Sequence, residues 1–239
     1  MKAKAMILAA GRGERMRPLT DTTPKPLLVV QGRPLMQWPM QALVAGGVRQ
    51  LVINTAWLGD QIASHFGHRH RAATVAYSHE GLDFGGALET AGGIVRALPL
   101  LGDVFWVVAG DVFAPTFRFT PSAVERFAAG EQLAHLWLVP NPPHNPGGDF
   151  GISPEGLALS DAPVKYTFST IGLYRAALFA SPYCEIPPGN PGGIKAPLAP
   201  LLRAAMADGR VGAELYEGAW TDVGTPGRLA ELNAKKRPA

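Results

Sequence analysis

Apolar segments of strand length alternate with segments of helical periodicity along this chain, and this alternation restricts the choice of fold more than any other feature. Six strands are predicted, at residues 5–9, 50–55, 74–78, 104–109, 133–139 and 167–174. Four helices are predicted, at residues 35–45, 58–66, 90–98 and 199–207, and Pro39 should start or kink the first of them. Strands that alternate with helices form mainly parallel sheets. We therefore expect an α/β fold, a three-layer α/β/α sandwich around a mixed, mostly parallel sheet.

Size and charge narrow the class of protein. The chain has 239 residues, which suits one large domain over residues 1–239. Its net charge is +3, but no predicted helix carries a basic face. The basic side chains concentrate near the amino terminus, at Arg12, Arg15, Arg17 and Lys25. That distribution favours a small polyanionic ligand over a duplex, so we expect no nucleic-acid partner.

The amino-terminal segment and the cysteine content bear on the cellular compartment in which we expect the protein. The first apolar run ends at Gly11, so it is shorter than the core of a signal peptide. No other run approaches the ~20 apolar residues that span a bilayer, and we expect no membrane partner. Cys184 is the single cysteine, so no internal disulfide can form. We expect a cytoplasmic protein whose basic residues 235–237 form a solvated tail.

A glycine- and arginine-rich segment, Gly11-Arg12-Gly13-Glu14-Arg15, directly follows the first predicted strand. Glycines in a strand-to-helix turn let backbone N–H groups approach a phosphate chain without an intervening Cβ. Arginines add charge-assisted hydrogen bonds. A dinucleotide-binding fingerprint would need a glycine at position 16, and the Gly-Lys-Ser/Thr of a P-loop is absent. The chemistry favours a triphosphate, although tight turns also use glycine without any ligand.

Three charged residues could complete a phosphate and metal site. Lys25 stands between two prolines that stiffen the backbone around it, although it could also be an ordinary surface lysine. Asp111 follows the strand predicted at 104–109, and Asp222 follows a short strand near the carboxyl terminus. Ligands of doubly wound sheets lie outside the carboxyl ends of strands, and Mg²⁺ is held by one or two carboxylates together with substrate phosphates. A turn or loop cap is the alternative role for each aspartate.

The segment LAAGRGERMRPLTDTTPKPLL is similar to the signature of sugar-1-phosphate nucleotidyltransferases, which runs roughly L-A-A-G-x-G-x-R-(L/M)-x-P-L-T-x-x-x-P-K-P-L. The chain departs from the family pattern at Glu14, where threonine or serine is more usual. The resemblance implies a Rossmann-like nucleotidyltransferase fold. It also implies that Arg15 and the loop bind the β- and γ-phosphates, that Lys25 neutralises the α-phosphate, and that the metal ligands are Asp111 and Asp222. Nucleotide contacts are then expected at Ala10, Gly11, Arg12, Gly13 and Lys25, and catalytic roles at Arg15, Lys25 and Asp111.

The same resemblance extends over nearly the whole chain. Residues 54–62, 167–170, 198–206 and 220–233 resemble short bacterial N-acetylmuramate α-1-phosphate uridylyltransferases. The small-residue turn at 88–93 implies base contacts at Glu89, Thr90 and Gly93, although an ordinary helix start would look the same. Sugar-phosphate contacts are expected at Asp149, Gly151, Lys165 and Lys195, since a muramate carries a lactyl carboxylate besides its phosphate. Each lysine could equally be a solvated side chain. The six histidines and Cys184 are assigned no chemistry.

These features predict an enzyme that transfers UMP from UTP to N-acetylmuramic acid α-1-phosphate with Mg²⁺ as cofactor, for the recycling of cell-wall sugars. Residues 1–112 are the expected nucleotide-binding half and residues 113–239 the expected sugar-phosphate half. One alternative is the same chemistry on glucose or mannose 1-phosphate. Another is a non-catalytic nucleotide-sugar sensor on the same fold, which the absence of Lys25, Asp111 or Asp222 would have favoured.

Overall fold

A computed structural model describes residues 3–234 of the chain. Its strands, in chain order, are β1 (Lys4–Ala9), β2 (Val29–Val30), β3 (Arg33–Pro34), β4 (Gln50–Thr55), β5 (Arg69–His70), β6 (Ala73–His79), β7 (Val104–Ala109), β8 (Val112–Phe113), β9 (Ala134–Val139), β10 (Gly151–Ile152), β11 (Ala158–Leu159), β12 (Thr167–Arg175), β13 (Val211–Leu215) and β14 (Thr221–Asp222). The α-helices are α1 (Gln37–Ala45), α2 (Gly59–Phe66), α3 (Glu80–Phe84), α4 (Glu89–Ala97), α5 (Pro121–Ala129), α6 (Leu198–Ala207) and α7 (Pro226–Ala234).

An eight-stranded sheet organises the molecule, in the order β13-β9-β12-β7-β1-β4-β6-β5. Strand β1 lies near the middle and pairs in parallel with both β4 and β7, so that Ile7 lies opposite Ile53 on one side and Val108 on the other. Strand β12 is antiparallel to β7 and β9, and β5 is antiparallel to β6. The other pairings are parallel, which confirms the expected mixed, mostly parallel sheet.

Helices cover both faces of the sheet, because the central strands carry apolar residues on both of their faces. Ile7 points into a core with α1, α2 and α5. Its neighbour Met6 belongs to a second core with α4 and α6. Strands buried on both faces read as nearly continuous apolar runs, as β7 does. The three-layer α/β/α sandwich is therefore confirmed.

A smaller third core lies under the glycine-rich segment. Met16, Leu28, Val30 and Phe113 pack there with Val223 and with Leu232 of α7. This cluster joins the segment after β1 to the end of the chain, which is far away in sequence. It therefore places the glycine-rich segment beside the strand that carries Asp222.

The predicted elements agree with the structure except in a few places. All six predicted strands are present, with ends that shift by at most one residue. Pro39 is the third residue of α1, in the first turn, where its missing N–H has no intrahelical acceptor anyway. The glycine-rich segment, expected to lead into a helix, leads instead into single 3-10 turns, at Glu14–Met16, Leu19–Asp21 and Lys25–Leu27. Asp222 lies within β14, not after a strand.

Helix α5 was not predicted from sequence, although its start carries a recognisable signal. Thr120 is the N-cap, where its Oγ1 accepts a hydrogen bond of 3.2 Å from the N–H of Ala123, and Pro121 occupies the first helical position. Strand β13 and helix α7 were also missed.

Strands from both sides of the boundary at residue 112 pair within the one sheet, since β12 lies against β7. The division of roles between the two halves stays a prediction. Among the described residues, no helix is long and apolar enough to cross a membrane. The predicted solvated tail at residues 235–237 lies outside the described residues.

Candidate active site

A cavity of about 710 Å³ opens at the carboxyl ends of β1, β4 and β7. The residues that line it come from the glycine-rich loop, the loop before α4, strand β12, helix α6 and the segment around Asp149. Ligands of open α/β sheets bind at this edge, where the strands end and their connections diverge. The cavity is also within the size range of small-molecule sites.

The glycine-rich loop forms one wall of this cavity. Gly13 adopts a left-handed conformation with φ of +69°, which glycine adopts without steric cost. The carbonyl oxygen of Gly13 accepts a hydrogen bond of 2.9 Å from Thr20 Oγ1. A Cβ at Gly11 would meet no atom within 4 Å, so the space beside that backbone is open. The predicted contact residues Ala10, Gly11 and Gly13 all line the cavity.

The two arginines of the loop do not line the cavity. The Arg12 guanidinium donates 2.8–2.9 Å hydrogen bonds to Asp21 and to the carbonyl of Thr20, and its centre lies 3.9 Å from the Trp57 ring centroid. The hydrogen bond from Arg12 holds the pKa of Asp21 below its ordinary value. Arg15 is exposed, and its Nη2 would lie 3.3 Å from a Cβ built on Gly224. Arg12 thus supports the loop, and Arg15 lies beside the segment that follows Asp222.

Lys25 and Asp111 meet at the floor of the site. The Lys25 ammonium donates to Asp111 Oδ2 in a close ion pair, and only 13% of the Lys25 side chain is exposed. Asp111 lies just beyond β7, and the turn after β1 carries Lys25 back toward it. Both residues line the cavity, and their phosphate and metal roles stay predictions.

Asp222 lies next to Asp111 through backbone pairing. In the β8–β14 ladder Asp222 is opposite Val112, and the N–H of Val223 donates a 2.9 Å hydrogen bond to the carbonyl of Asp111. The Asp222 carboxylate does not line the cavity but accepts a 2.5 Å hydrogen bond from Arg228 Nη1. His144 Nε2 lies 3.0 Å from the same oxygen, Oδ1. His144 had been assigned no role, and nothing in its local sequence points to this contact.

The two carboxylates fit a divalent metal of the Mg²⁺ type. Asp111 immediately precedes β8, and Asp222 lies in β14, which pairs with β8. Both carboxylates keep part of their surface in solvent, with 32% and 24% of the two side chains exposed. Mg²⁺ commonly takes one or two carboxylates and completes its octahedron with phosphate oxygens and water. No group of three or more acidic, histidine or cysteine ligands occurs within residues 3–234. The donor set therefore suits a metal that shares its coordination with a substrate.

A buried network holds the loop before α4 against β1. Glu80 is fully buried, and its carboxylate accepts hydrogen bonds from Asn54 Nδ2 (2.7 Å) and from the N–H of Leu88 (2.8 Å). Asn54 Oδ1 in turn accepts from the N–H of Ala9 at 2.8 Å. Burial raises the pKa of Glu80 above its ordinary value. The network links the end of β1, the end of β4 and the predicted base-binding turn.

The turn at residues 88–93, where base contacts are expected, is strained. Glu89 has φ of +60°, an unusual value for a residue with a side chain. Glu89 and Thr90 line the cavity, and their contact with a base stays a prediction. Gly93 lies behind the wall instead, where a Cβ would come within 2.5 Å of Glu80 Oε1. The absence of a side chain at Gly93 therefore lets α4 pack closely against Glu80.

Of the four residues expected to contact the sugar phosphate, only Asp149 lines the cavity. Asp149 Oδ2 accepts a 2.8 Å hydrogen bond from the N–H of Phe168. Gly151 lies outside the lining, where a Cβ would come within 2.3 Å of Ala162. Lys165 lies 3.7 Å from Asp161, and Lys195 is exposed. Neither lysine lines the cavity.

Several lining residues were not singled out from sequence as site residues. They include Asn54, Glu80, Thr170, Tyr174 and Arg203. Thr170 lies at a β-bulge of β12 with φ of +62°, and its buried Oγ1 has no hydrogen-bond partner within the described chain. The apolar pattern of helix α6 predicts only that Arg203 lies on its exposed side, next to the buried Leu202.

Comparisons with known proteins agree with this geometry. The sequence pattern of the nucleotidyl transferase family matches residues 4–153. An N-acetylmuramate α-1-phosphate uridylyltransferase of Neisseria meningitidis is 48% identical, over 97% of each chain. One of Caulobacter vibrioides is 34% identical over 98% of this chain and 96% of its own.

A solved structure from Bacillus anthracis, described as a glucose-1-phosphate thymidylyltransferase, has the same fold. Its TM-score is 0.80 at 22% identity, with 97% of this chain and 94% of that chain covered. Together, the match to the family pattern and the near-complete alignment with two relatives show that this chain belongs to the nucleotidyl transferase family, as one of its sugar-1-phosphate nucleotidyltransferases.

Proposed function

We propose that the protein transfers UMP from UTP to N-acetylmuramic acid α-1-phosphate, which yields UDP-N-acetylmuramic acid and pyrophosphate. The two relatives that align over nearly the whole chain carry the name of this activity. The observation that carries the proposal is the contact of Lys25 with Asp111 beside the open glycine loop, at the floor of a cavity large enough for a nucleotide and a sugar. Cell-wall sugar recycling and a cytoplasmic location remain predictions.

The triphosphate would lie along the wall formed by Gly11 and Gly13. The loop backbone would donate to the β- and γ-phosphates, with Arg15 reaching them from the side of Gly224. Lys25 would neutralise the α-phosphate, since its ammonium lies in the cavity and its partner Asp111 is a proposed metal ligand. The base would rest against the turn at Glu89 and Thr90.

Asp111 and Asp222 are the residues that would hold the metal. A divalent ion is the general cofactor of this enzyme family, and we propose Mg²⁺ here. When bound, it would neutralise phosphate charge as a Lewis acid. The carboxylates would then exchange their present partners, Lys25 and Arg228, for the metal, which would leave both cations available to phosphate oxygens.

The reaction itself needs little from protein side chains besides position and charge. A phosphate oxygen of the sugar attacks the α-phosphorus of UTP and forms a new P–O bond. The bond from that phosphorus to the bridging β-oxygen breaks, and pyrophosphate leaves with the electron pair. A phosphate monoester is already a nucleophile, so no general base is required. Lys25 and Arg15 would stabilise the charge that develops on the transferred and leaving phosphates.

The test is a pyrophosphate-release assay with each of the common nucleoside triphosphates against a panel of sugar 1-phosphates. We expect the highest kcat/KM with UTP and N-acetylmuramic acid α-1-phosphate, and loss of activity with EDTA that Mg²⁺ restores. A higher kcat/KM with glucose or mannose 1-phosphate would reject the proposed sugar but keep the reaction type. Nucleotide-sugar binding without turnover on any pair would indicate a sensor.

A further inference from the structure

Arg203 is a cation in the cavity for which the sequence suggested no role. It projects from the second turn of α6 and lines the cavity with Leu202, Phe150 and Tyr174. Its guanidinium carbon lies 5.9 Å from the centroid of the Phe150 ring, within the range of a cation–π contact. Phe150 adjoins Asp149, so Arg203 borders the part of the cavity expected to receive the sugar.

Arg203 has no anionic partner in the part of the chain that the structure describes. None of the salt bridges or side-chain hydrogen bonds among residues 3–234 includes it. The other cation that lines the cavity, Lys25, is paired with Asp111. The guanidinium N–H groups of such an arginine can donate two parallel hydrogen bonds to a planar anion such as a carboxylate.

The proposed acceptor carries two anions at different positions of one sugar ring. Its 1-phosphate must reach the α-phosphorus of the nucleotide, beside Lys25 and Asp111. Its lactyl carboxylate, attached through O3, would then point away from the reacting end and would be costly to bury without a cation. The two lysines expected to meet it, Lys165 and Lys195, do not line the cavity.

We propose that Arg203 binds the lactyl carboxylate of the acceptor and thereby selects sugar 1-phosphates that carry a carboxylate. A bidentate guanidinium–carboxylate pair would fix the ring orientation as well as add binding energy. This role rests on the proposed function, because it requires an acceptor with a second anion. It predicts a preference for N-acetylmuramic acid α-1-phosphate over N-acetylglucosamine α-1-phosphate, which has the same ring and acetamido group without the lactyl ether.

The experiment compares these two sugar phosphates, with UTP and Mg²⁺ saturating, in the wild-type enzyme and in Arg203→Met and Arg203→Lys. Methionine keeps an unbranched side chain of similar reach but removes the charge. Arg118→Met is the matched control, because Arg118 is exposed and makes no salt bridge within the described chain. A thermal melt and UTP binding check that each variant is folded with its nucleotide site intact.

We expect Arg203→Met to raise KM for the muramic acid substrate about tenfold or more, which corresponds to about 1.4 kcal/mol. Its KM for the glucosamine substrate should change less than about twofold, and Arg203→Lys should fall between wild type and Arg203→Met. An equal loss with both sugars would assign Arg203 to the shared phosphate and overturn the proposal, and so would unchanged kinetics. If the wild-type enzyme does not use the muramic acid substrate, that result rejects the proposed function itself, independently of the Arg203 variants.

Discussion

At the residue scale, Asp111 is the side chain on which the proposed chemistry depends most. The Asp111 side chain is 32% exposed, and Lys25 is its one hydrogen-bonding and ion-pair partner within residues 3–234, so the fold should tolerate its loss. We predict that Asp111→Asn lowers pyrophosphate release by at least about a hundredfold, because the amide cannot replace a carboxylate on Mg²⁺. The thermal midpoint should stay within a few degrees of wild type.

The control for that substitution is Asp161→Asn, which removes a carboxylate that is fully exposed on the surface near Lys165. It should leave both activity and melting unchanged. Near-normal turnover of Asp111→Asn at saturating Mg²⁺ would be incompatible with the metal assignment.

Glu80 offers a test of the buried network by pH. Burial raises its pKa above the ordinary value of 4.5, so the folded protein retains a proton at pH values where the unfolded chain has lost it. The stability that this carboxyl contributes therefore falls as the pH rises through that range. Glu80→Gln keeps the shape but cannot titrate. We predict that the unfolding free energy of the variant rises relative to wild type as the pH increases above about 4.5.

Urea unfolding at several pH values in that range would measure this difference. Glu155→Gln is a suitable comparison, since Glu155 is an exposed residue whose pKa is lowered by its hydrogen bond to Ser153. A relative stability of Glu80→Gln that falls with rising pH would contradict the predicted direction.

At the scale of elements, helix α4 is built to approach its neighbours closely. A Cβ at Gly92 would lie 2.5 Å from the carbonyl of Ile194, and one at Gly93 would lie 2.5 Å from Glu80 Oε1. The absent side chains let α4 approach the loop at 194–196, whose Ala196 accepts hydrogen bonds from the N–H groups of Ala91 and Gly92. The helix thus anchors the turn at its own amino terminus, where we propose that the base binds.

We predict that Gly93→Ala lowers the unfolding free energy by about 1–3 kcal/mol, as overpacked core positions do. It should also raise KM for UTP. Displacement of Glu80 would weaken the hydrogen bond that its carboxylate accepts from the N–H of Leu88, and the turn at Glu89 would lose that support. Gly102→Ala is the control, since a Cβ there meets nothing within 4 Å. Wild-type stability and KM in Gly93→Ala would show that the turn does not depend on this packing.

At the scale of the whole molecule, the sheet joins the two halves of the chain. Trp106 on β7 and Trp137 on β9 have ring centroids 4.9 Å apart, and both belong to the core beneath α1 and α5. Strand β7 lies between β1 and β12, so neither half keeps a complete sheet without the other. The proposed nucleotide and sugar sites are therefore parts of one cooperative structure.

We predict that residues 1–239 unfold in one transition. Tryptophan fluorescence and far-ultraviolet circular dichroism should give superimposable urea curves, because the core tryptophans and the sheet lose their structure together. A fragment of residues 1–112 should not fold stably, since it leaves the β12 side of β7 unpaired. Two separated transitions, or a folded fragment, would show that the halves are independent domains.

The amino-acid pattern alone determined six of the eight strands of the main sheet and the residues at their ends. Periodicity is local, so the strand predicted at 104–109 coincides with β7, and the adjacency of Asp111 to it follows directly. The loop at Gly11–Gly13 and the presence of Lys25 nearby could likewise be read from short segments, because their chemistry depends on neighbours in sequence.

Only the tertiary structure decided which distant residues share the cavity. The placement of Asp222 beside Asp111 depends on the β8–β14 pairing, across more than a hundred residues. The entry of Arg203 into the cavity depends on how α6 packs against the sheet, and neither Lys165 nor Lys195 lines that cavity. Local propensity specifies the faces of helices and strands. The positions of their side chains relative to one another are set by the burial of all those faces at once.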